Sequence, residues 1–447
     1  VKILNLILLS IISLSLKAEV EVEASNNVLT LKEAIKLVKT KNLEVKTESF
    51  KSQMATTDLS LIKGEFFPKI NATVGAGPIN GKEGDFSTYH DNNKWGVEWI
   101  ASIEAKFPIY VWGRSDDLKQ AVQLNTEINQ LDVSKKQNEI ILKLKEAYYG
   151  QQFALSLLDF VTETEKDLEN AVKAIEEKKG KKEDILRLEV FKYQVAEKKI
   201  EIEKNIKLVK MGINFYVGSE LKSGQEVSFS NERTWIEMDE RELKDFDYYH
   251  KLMTGTAPDL QKVEKGILAK SLLLSSEKKS ERPYLGGLIK YDFAQTNQRT
   301  VQNNPFVYDR YNHSEVAAGV GITWDIDFGV KKSKIDKLVL EVGELQSKQH
   351  FAREGLKVLL NKAYIEVEEA RDRANTLKKA YKSAKKWMTN VGASVGLGLA
   401  PAKDIIDAYT TRALVFKDYY ESLYRYQMAW ARLSDAVGSE VDPQLSE

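Results

Sequence analysis

The sequence predicts a mixed fold: a rod of long coiled-coil α-helices carrying four transmembrane β-strands, tandemly duplicated. Three observations carry this reading: landmarks that recur at a nearly fixed offset, an apolar stripe of 3.5-residue period, and strands in which apolar and polar side chains alternate. Each leads to a set of expected elements.

The duplication rests on VGSE, which occurs at residues 217–220 and again at 437–440. Pro68 and Pro283, Gly113 and Gly329, Ala147-Tyr148 and Ala363-Tyr364, and Asp184-Ile185 and Asp404-Ile405 recur in the same order at offsets of 215 to 220 residues. A chance tetrapeptide brings no ordered companions, so two copies of one unit are expected. The first repeat spans 19–218 and the second 257–438, with a connector at 219–256 and a tail at 439–447. The connector is rich in charge (ERTWIEMDERELKD) and lacks a sustained period, which places it on the outside of the rod. Ahead of the first repeat, Lys2, an apolar run at 3–16 and Ala18 read as a signal peptide over residues 1–18. That run is shorter than the ~20 residues a spanning helix needs.

Within the first repeat a helix is expected from about 30 to 63 on Ala34, Ile35, Val38, Leu43 and Val45. Pro68 ends that pattern. A strand hairpin follows at about 69–108, then a helix from about 115 to 178, a break at Gly180 and a helix from about 183 to 216. The last of these carries the stripe Ile185, Leu188, Val195, Ile202, Ile206, Val209, Ile213 and Tyr216, interrupted by Lys192 and Lys199. A 3.5-residue stripe kept over so many turns belongs to a coiled coil. At 1.5 Å per residue the long helix is roughly 95 Å, which two shorter helices stacked end to end would match. The second repeat follows the same order, with its strand hairpin at about 284–328.

In the strand WGVEWIASIEAKF, Trp95, Val97, Trp99, Ala101, Ile103, Ala105 and Phe107 share one face, and Gly96, Glu98, Ile100, Ser102, Glu104 and Lys106 the other. Its counterpart EVAAGVGITWDIDF sets Val316, Ala318, Val320, Ile322, Trp324, Ile326 and Phe328 against Glu315, Thr323, Asp325 and Asp327. Long polar loops join the strands of each hairpin, and no further helix is left to cover the apolar face. Lipid covers such a face, and four strands cannot close a barrel, so several chains are expected to contribute to one. Trp95, Trp99, Tyr291 and Trp324 are candidate aromatics of the membrane interface.

Other chemistries find no footing. Lys plus Arg and Asp plus Glu both number 66, so no net field draws nucleic acid. With no cysteine there is no disulfide, thiolate site or lipid-modified N-terminal Cys. His90, His250, His313 and His350 lack metal-ligand spacing, and the glycines of AGVGITWD and GASVGLG lack a phosphate-binding context. No enzyme, cofactor or metal is expected.

The tandem order, LTLKEAIKLVKTKNLEVK as opening helix, FFPKI entering a strand, FPIYVWGR leaving one, and VGLGLAPAKDIIDAYTTRALVFKDYYESLYRYQMAWARLSDAVG as the last arm resemble the TolC-like outer-membrane efflux family, the outer membrane factors. The resemblance implies a homotrimer whose four strands per chain complete a twelve-stranded β-barrel in a Gram-negative outer membrane, continuous with a periplasmic α-barrel. It also implies a passive conduit of a tripartite efflux or type I secretion system, docked to a periplasmic adaptor (membrane fusion protein) and an inner-membrane pump. Asp404 and Asp407, at i and i+3 after Pro401, share a helix face. The resemblance assigns them the periplasmic gate, whereas acids in a first helical turn also serve the helix dipole. Gly180, Val395, Gly396, Leu397 and Gly398 become candidate adaptor-contact tips. The family's gate clasp uses Arg and Tyr near this turn, and VGASVGLGLAPAK holds neither. A soluble periplasmic coiled-coil adaptor or scaffold is the alternative reading.

Overall fold

The computed structural model describes residues 28–84, 90–177, 181–218, 228–229, 241–302, 304–397, 399–442 and 445. The signal-peptide segment, most of the connector and the tips Gly180 and Gly398 lie outside the described residues. The first repeat comprises β1 (Val28–Leu29), α1 (Leu31–Lys41), α2 (Leu43–Glu65), β2 (Lys69–Glu83), β3 (His90–Tyr110), α3 (Arg114–Glu177) and α4 (Lys182–Val217). After β4 (Ser228–Phe229), which pairs in parallel with β1, come α5 (Phe246–Thr256), α6 (Pro258–Ser280), β5 (Tyr284–Thr296), β6 (His313–Thr323), α7 (Val330–Gly396) and α8 (Ala402–Val437).

The expected single helix at 30–63 is two. Thr30 and Glu33 form a capping box that starts α1, with Thr30 Oγ1 accepting from Glu33 N at 3.2 Å and Glu33 Oε2 accepting from Thr30 N at 2.8 Å. Asn42 then breaks the helix in an extended conformation and caps α2, its Oδ1 accepting from Glu44 N at 2.9 Å and Val45 N at 3.1 Å. Apolar periodicity ran through the break because Leu43 and Val45 follow it directly.

The same design corrects the connector. Residues 246–256, assigned to it from sequence, form α5, the counterpart of α1, so the helical part of the second repeat begins before 257. Asp245 caps α5 by accepting from Tyr248 N at 3.3 Å, and Pro258 opens α6 at a position where its missing N–H costs nothing. Tyr249 and Met253 of α5 are buried with Leu360, Val367, Tyr426 and Trp430 rather than lying outside. Burial of such side chains stabilises by about 1.5–3 kcal/mol each.

The VGSE glycines fasten these joints. Gly218 ends α4 at φ 68° and Gly438 ends α8 at φ 81°, the left-handed conformation that glycine adopts without penalty. A Cβ on Gly218 would meet Lys41 O at 2.5 Å, and one on Gly438 would meet Ala257 Cα at 3.0 Å and Pro258 Cδ at 2.9 Å. Each glycine therefore abuts the helix break of its own repeat. A side chain there completes the joint: Asn42 Nδ2 donates to Tyr216 O at 2.9 Å, and Thr256 Oγ1 donates to Val437 O at 2.7 Å. Repetition of VGSE thus records repetition of one end-to-end junction.

Long helices run past these junctions. Along its first part α3 meets α2, through Thr126 Oγ1 donating to Ala55 O, and α6, through Lys262–Asp132 and Lys265–Glu127 ion pairs. Further along it meets α4, where Lys192 and Lys199 reach Glu169 at 2.7 Å and Glu165 at 2.9 Å. The two lysines that interrupt the apolar stripe are therefore paired across the seam. α7 packs in the same manner against α6 and α8. As expected, within its own repeat each long helix lies beside two shorter ones placed end to end, and α3 in addition meets α6 of the other repeat.

The sheet has the order β2-β3-β5-β6, antiparallel throughout, and its central pair β3–β5 joins the two repeats. One expectation fails at its rim. β6 stops at Thr323, and Asp327 leaves the strand to cap α7, accepting from Gly329 N at 3.1 Å and Lys331 N at 3.2 Å. Trp324, Asp325 and Ile326 therefore belong to the turn between sheet and rod.

Alanine at Gly438 combines a left-handed backbone penalty of about 1–2 kcal/mol with overpacking of about 1–3 kcal/mol. Gly438→Ala and Gly218→Ala are each expected to lose ~2–4 kcal/mol in denaturant unfolding of the detergent-solubilised protein. Gly150→Ala, where a Cβ meets nothing within 4 Å, is the control expected to be neutral or stabilising.

Candidate functional site

Strand register decides what each face of the sheet offers. Ile70, Ala105, Ile289 and Ala318 align in one row across the four strands, and Ala72, Ile103, Tyr291 and Val316 in the next but one. Cross-strand partners share a face, so the apolar set of all four strands forms one continuous surface. That surface is bare: Val74 is 80%, Trp95 71%, Val316 76% and Ile322 77% exposed. Rows of opposite parity carry the charges of the sheet, among them Thr73, Ser102, Asp292 and Glu315, then Asn71, Glu104, Lys290 and Ala317, while Ile100 and Leu288 are apolar members of the same face. Charges there pair along the strands, Lys290 with Asp292 at 3.1 Å and Lys106 with Glu104. Strands β2 and β6 are not paired with each other and form the two edges of the sheet.

The four candidate interface aromatics fall at different heights. Trp95 and Trp99 lie toward the loop end of β3, opposite Asn80 and Ala76. Tyr291 pairs with Ile103 and Val316 midway along the strands, its hydroxyl 3.2 Å from Ser314 Oγ. Trp324 lies at the rod end, its Nε1 donating to Glu281 O at 3.0 Å. The sequence reading missed Tyr110 and Trp112 there, which meet edge-on with ring centroids 5.0 Å apart. A one-residue register shift between Pro108 and Tyr110 hid them, because it carries Tyr110 onto the row of Leu285 and Ile322.

At the opposite end of the rod both helical hairpins finish together. Leu168, Leu188, Met388, Ile405, Ala408 and Tyr409 form one buried cluster from α3, α4, α7 and α8, with Val395 packed against it. Asp404 and Asp407 lie on the exposed side of α8 and Ile405 and Ala408 on the buried side, so the i, i+3 pair does share one open face. Gly396 ends α7, and Leu397 is the exposed residue that follows. Among the tip candidates Leu397 is free for contact, while Val395 is partly committed to the core.

Tyr and Arg do occur near this turn, one helical step beyond the segment inspected in sequence. Arg412, its side chain 8% exposed, pairs with Glu163 of α3 at 3.1 Å and lies over the Phe160 ring at 5.1 Å. Tyr409 faces the Asp167 carboxylate of α3. Burial pushes the Tyr409 hydroxyl well above the ordinary tyrosine range, and the charge of Asp167 pushes it further. Together these contacts tie the second hairpin to the first. Their signal in sequence was the i, i+3 spacing of Tyr409 and Arg412, the same spacing as the aspartates.

Two further apolar stripes lie open on the flanks. Leu43, Phe50, Met54 and Leu61 on α2 are exposed, as are Leu186, Val190, Tyr193, Ile200, Met211 and Phe215 on α4, whose end at Gly218 meets the break between α1 and α2. On α7, Leu340, Phe351, Val358 and Ile365 are exposed. The α2–α4 flank continues the β2 edge, and α7 continues β6. Among the described residues no helix is long and apolar enough to cross a membrane, and no cluster of His, Cys, Asp or Glu could hold a metal ion.

A rod of duplicated helical hairpins bearing a four-stranded sheet is a fold found in solved outer-membrane channels. Three solved structures share it: the Campylobacter jejuni CmeC outer membrane channel, the open state of the Neisseria gonorrhoeae MtrE outer membrane channel, and the outer membrane protein VceC of Vibrio cholerae. CmeC matches at TM-score 0.73 and 13% identity over 93% of this chain and 88% of its own. MtrE matches at 0.73 and 13% over 92% and 89%, and VceC at 0.69 and 12% over 92% and 97%. At such identities the likeness is one of fold. No family model and no curated protein sequence matches the chain.

Because its pKa is raised, Tyr409 contributes stability that is present below the unfolded tyrosine value near 10 and is lost as pH rises beyond it. Tyr409→Phe is expected to flatten the alkaline limb of the stability curve above pH ~10 while leaving its slope near pH 7 unchanged, as read by denaturant unfolding across that range.

Proposed function

We propose that three copies of this chain form a passive outer-membrane channel, with the sheets joined into a twelve-stranded barrel and the helices into a periplasmic tunnel. The observation that carries this is the bare apolar face bounded by two unpaired strand edges. In water such a face aggregates. In hydrocarbon it is solvated, and each unpaired edge amide costs several kcal/mol until a neighbouring strand pairs with it. Pairing β6 of one copy with β2 of the next satisfies both edges, and the same rotation carries α7 toward the α2–α4 flank of its neighbour. The contact is head-to-tail, so it closes only as a ring.

At the far end, Asp404 and Asp407 on the exposed face of α8 would form an acidic ring favouring cations. The Tyr409–Asp167 and Arg412–Glu163 contacts hold the hairpins together in the closed state. Leu397 and the tip residues around it are the contact for a periplasmic adaptor and, through it, an inner-membrane pump. Efflux or type I secretion is the corresponding role, in the outer membrane of a Gram-negative cell. Similarity in fold to outer-membrane channels supports this reading.

Two measurements test it. The protein mixed with phospholipid vesicles is expected to float with them in a density gradient and to resist extraction by carbonate; recovery as a soluble monomer would sink the channel reading. Once reconstituted in a planar bilayer, Asp404→Asn with Asp407→Asn is expected to weaken cation preference or raise conductance. An unchanged channel would remove the pair from the gate.

A further inference from the structure

We infer that the turn between α6 and β5 is a binding site for the phosphate of an anionic phospholipid headgroup in the periplasmic leaflet. The inference rests on the reading of the sheet as membrane-inserted and adds a recognition site at its lower rim.

Two indoles clamp the turn. Trp112 Nε1 donates to Pro283 O at 2.6 Å, and Trp324 Nε1 donates to Glu281 O at 3.0 Å. Lys331 adds a third tie, Nζ donating to Ser280 O at 3.0 Å. Arg282, at the centre of the clamped segment, is exposed, with its guanidinium carbon 5.4 Å from the Trp112 ring centroid. Trp112 in turn abuts Tyr110, which aligns with Leu285 and Ile322 at the last rows of the apolar face. The cation therefore sits where hydrocarbon-facing residues end and the rod begins.

The balance of charge suits an anion. Arg114, Lys279, Arg282, Lys331 and Lys334 line a cleft of about 240 Å³ beside the turn, against Glu277, Asp325 and Asp327. Of these acids, Asp327 is occupied in capping α7. Lys279 is taken by Asp117 at 2.6 Å, whereas among the described residues Arg282 has no carboxylate partner. Stacking on an indole leaves the edge of a guanidinium, with its N–H donors, free to chelate phosphate oxygens. Aromatic side chains anchored by their N–H groups hold that edge at headgroup level. A solvated surface arginine needs none of this support.

The experiment titrates purified, delipidated protein with phosphatidylglycerol or phosphatidylethanolamine and counts bound lipid by native mass spectrometry. Preferential retention of phosphatidylglycerol is expected. Arg282→Gln should weaken it about fivefold, the equivalent of one basic contact at a membrane surface. Lys357→Gln, which removes a charge from the exposed face of α7, should leave it unchanged. Equal binding of the two lipids, an unaffected Arg282→Gln protein or an equal loss in Lys357→Gln would overturn the inference. So would full displacement of phosphatidylglycerol by inorganic phosphate, which would make it a free-anion site. Should these fail while the protein still floats with vesicles, the headgroup site alone falls; failure to float removes the membrane reading and the site with it.

Discussion

Backbone hydrogen bonding at the two edges of the sheet is the constraint on which the rest of this architecture depends. Within the four-stranded sheet only β2 and β6 lack a partner on one side, and the register gathers most of the apolar residues on one surface. A one-residue slip would turn that surface inward, so alternation and register are specified together. In the channel proposed above, the unsatisfied edges and the greasy face share one remedy, a second copy on each side. The open stripes on α2, α4 and α7 are consistent with that demand, since they run down the same two flanks as the edges.

Duplication makes such a ring possible with one gene product, because each repeat supplies a hairpin above and a set of helices below. The price is a discontinuity on one side of each long helix, where two shorter helices must meet. Both repeats resolve it identically: a left-handed glycine lies against the break between two helices, and a side chain from the break holds the last carbonyls of the arriving helix. The joints sit in the buried clusters that include α1 and α5, so the middle of the rod is its best-packed part. Toward the tips a further apolar cluster is joined by ties between the hairpins, Arg412 to Glu163 and Tyr409 to Asp167.

Much of this was legible in the order of residues. Alternation in β3 and β6 named the apolar face correctly, and the recurring landmarks gave the two repeats. What escaped were features set by partners distant in sequence. Residues 246–256 look like charged connector until α7 and α8 bury Tyr249 and Met253. Likewise Asn42 looks like an ordinary helical residue until Tyr216 accepts its side-chain amide. Tyr409 and Arg412 look like ordinary helical residues until α3 presents Asp167 and Glu163 to them.

The sequence by itself determined periodicity: which residues face together on each helix and strand, that the unit is doubled, and that its strands are greasy on one side. These follow from local geometry, 3.6 residues per helical turn and two per strand repeat, which needs no knowledge of what lies across the fold. Only the tertiary structure decided which repeat strand meets which, where Trp112 and Trp324 close on Glu281 and Pro283, and which charges find partners. Those outcomes depend on distances between segments far apart in the sequence, and no local rule carries that information.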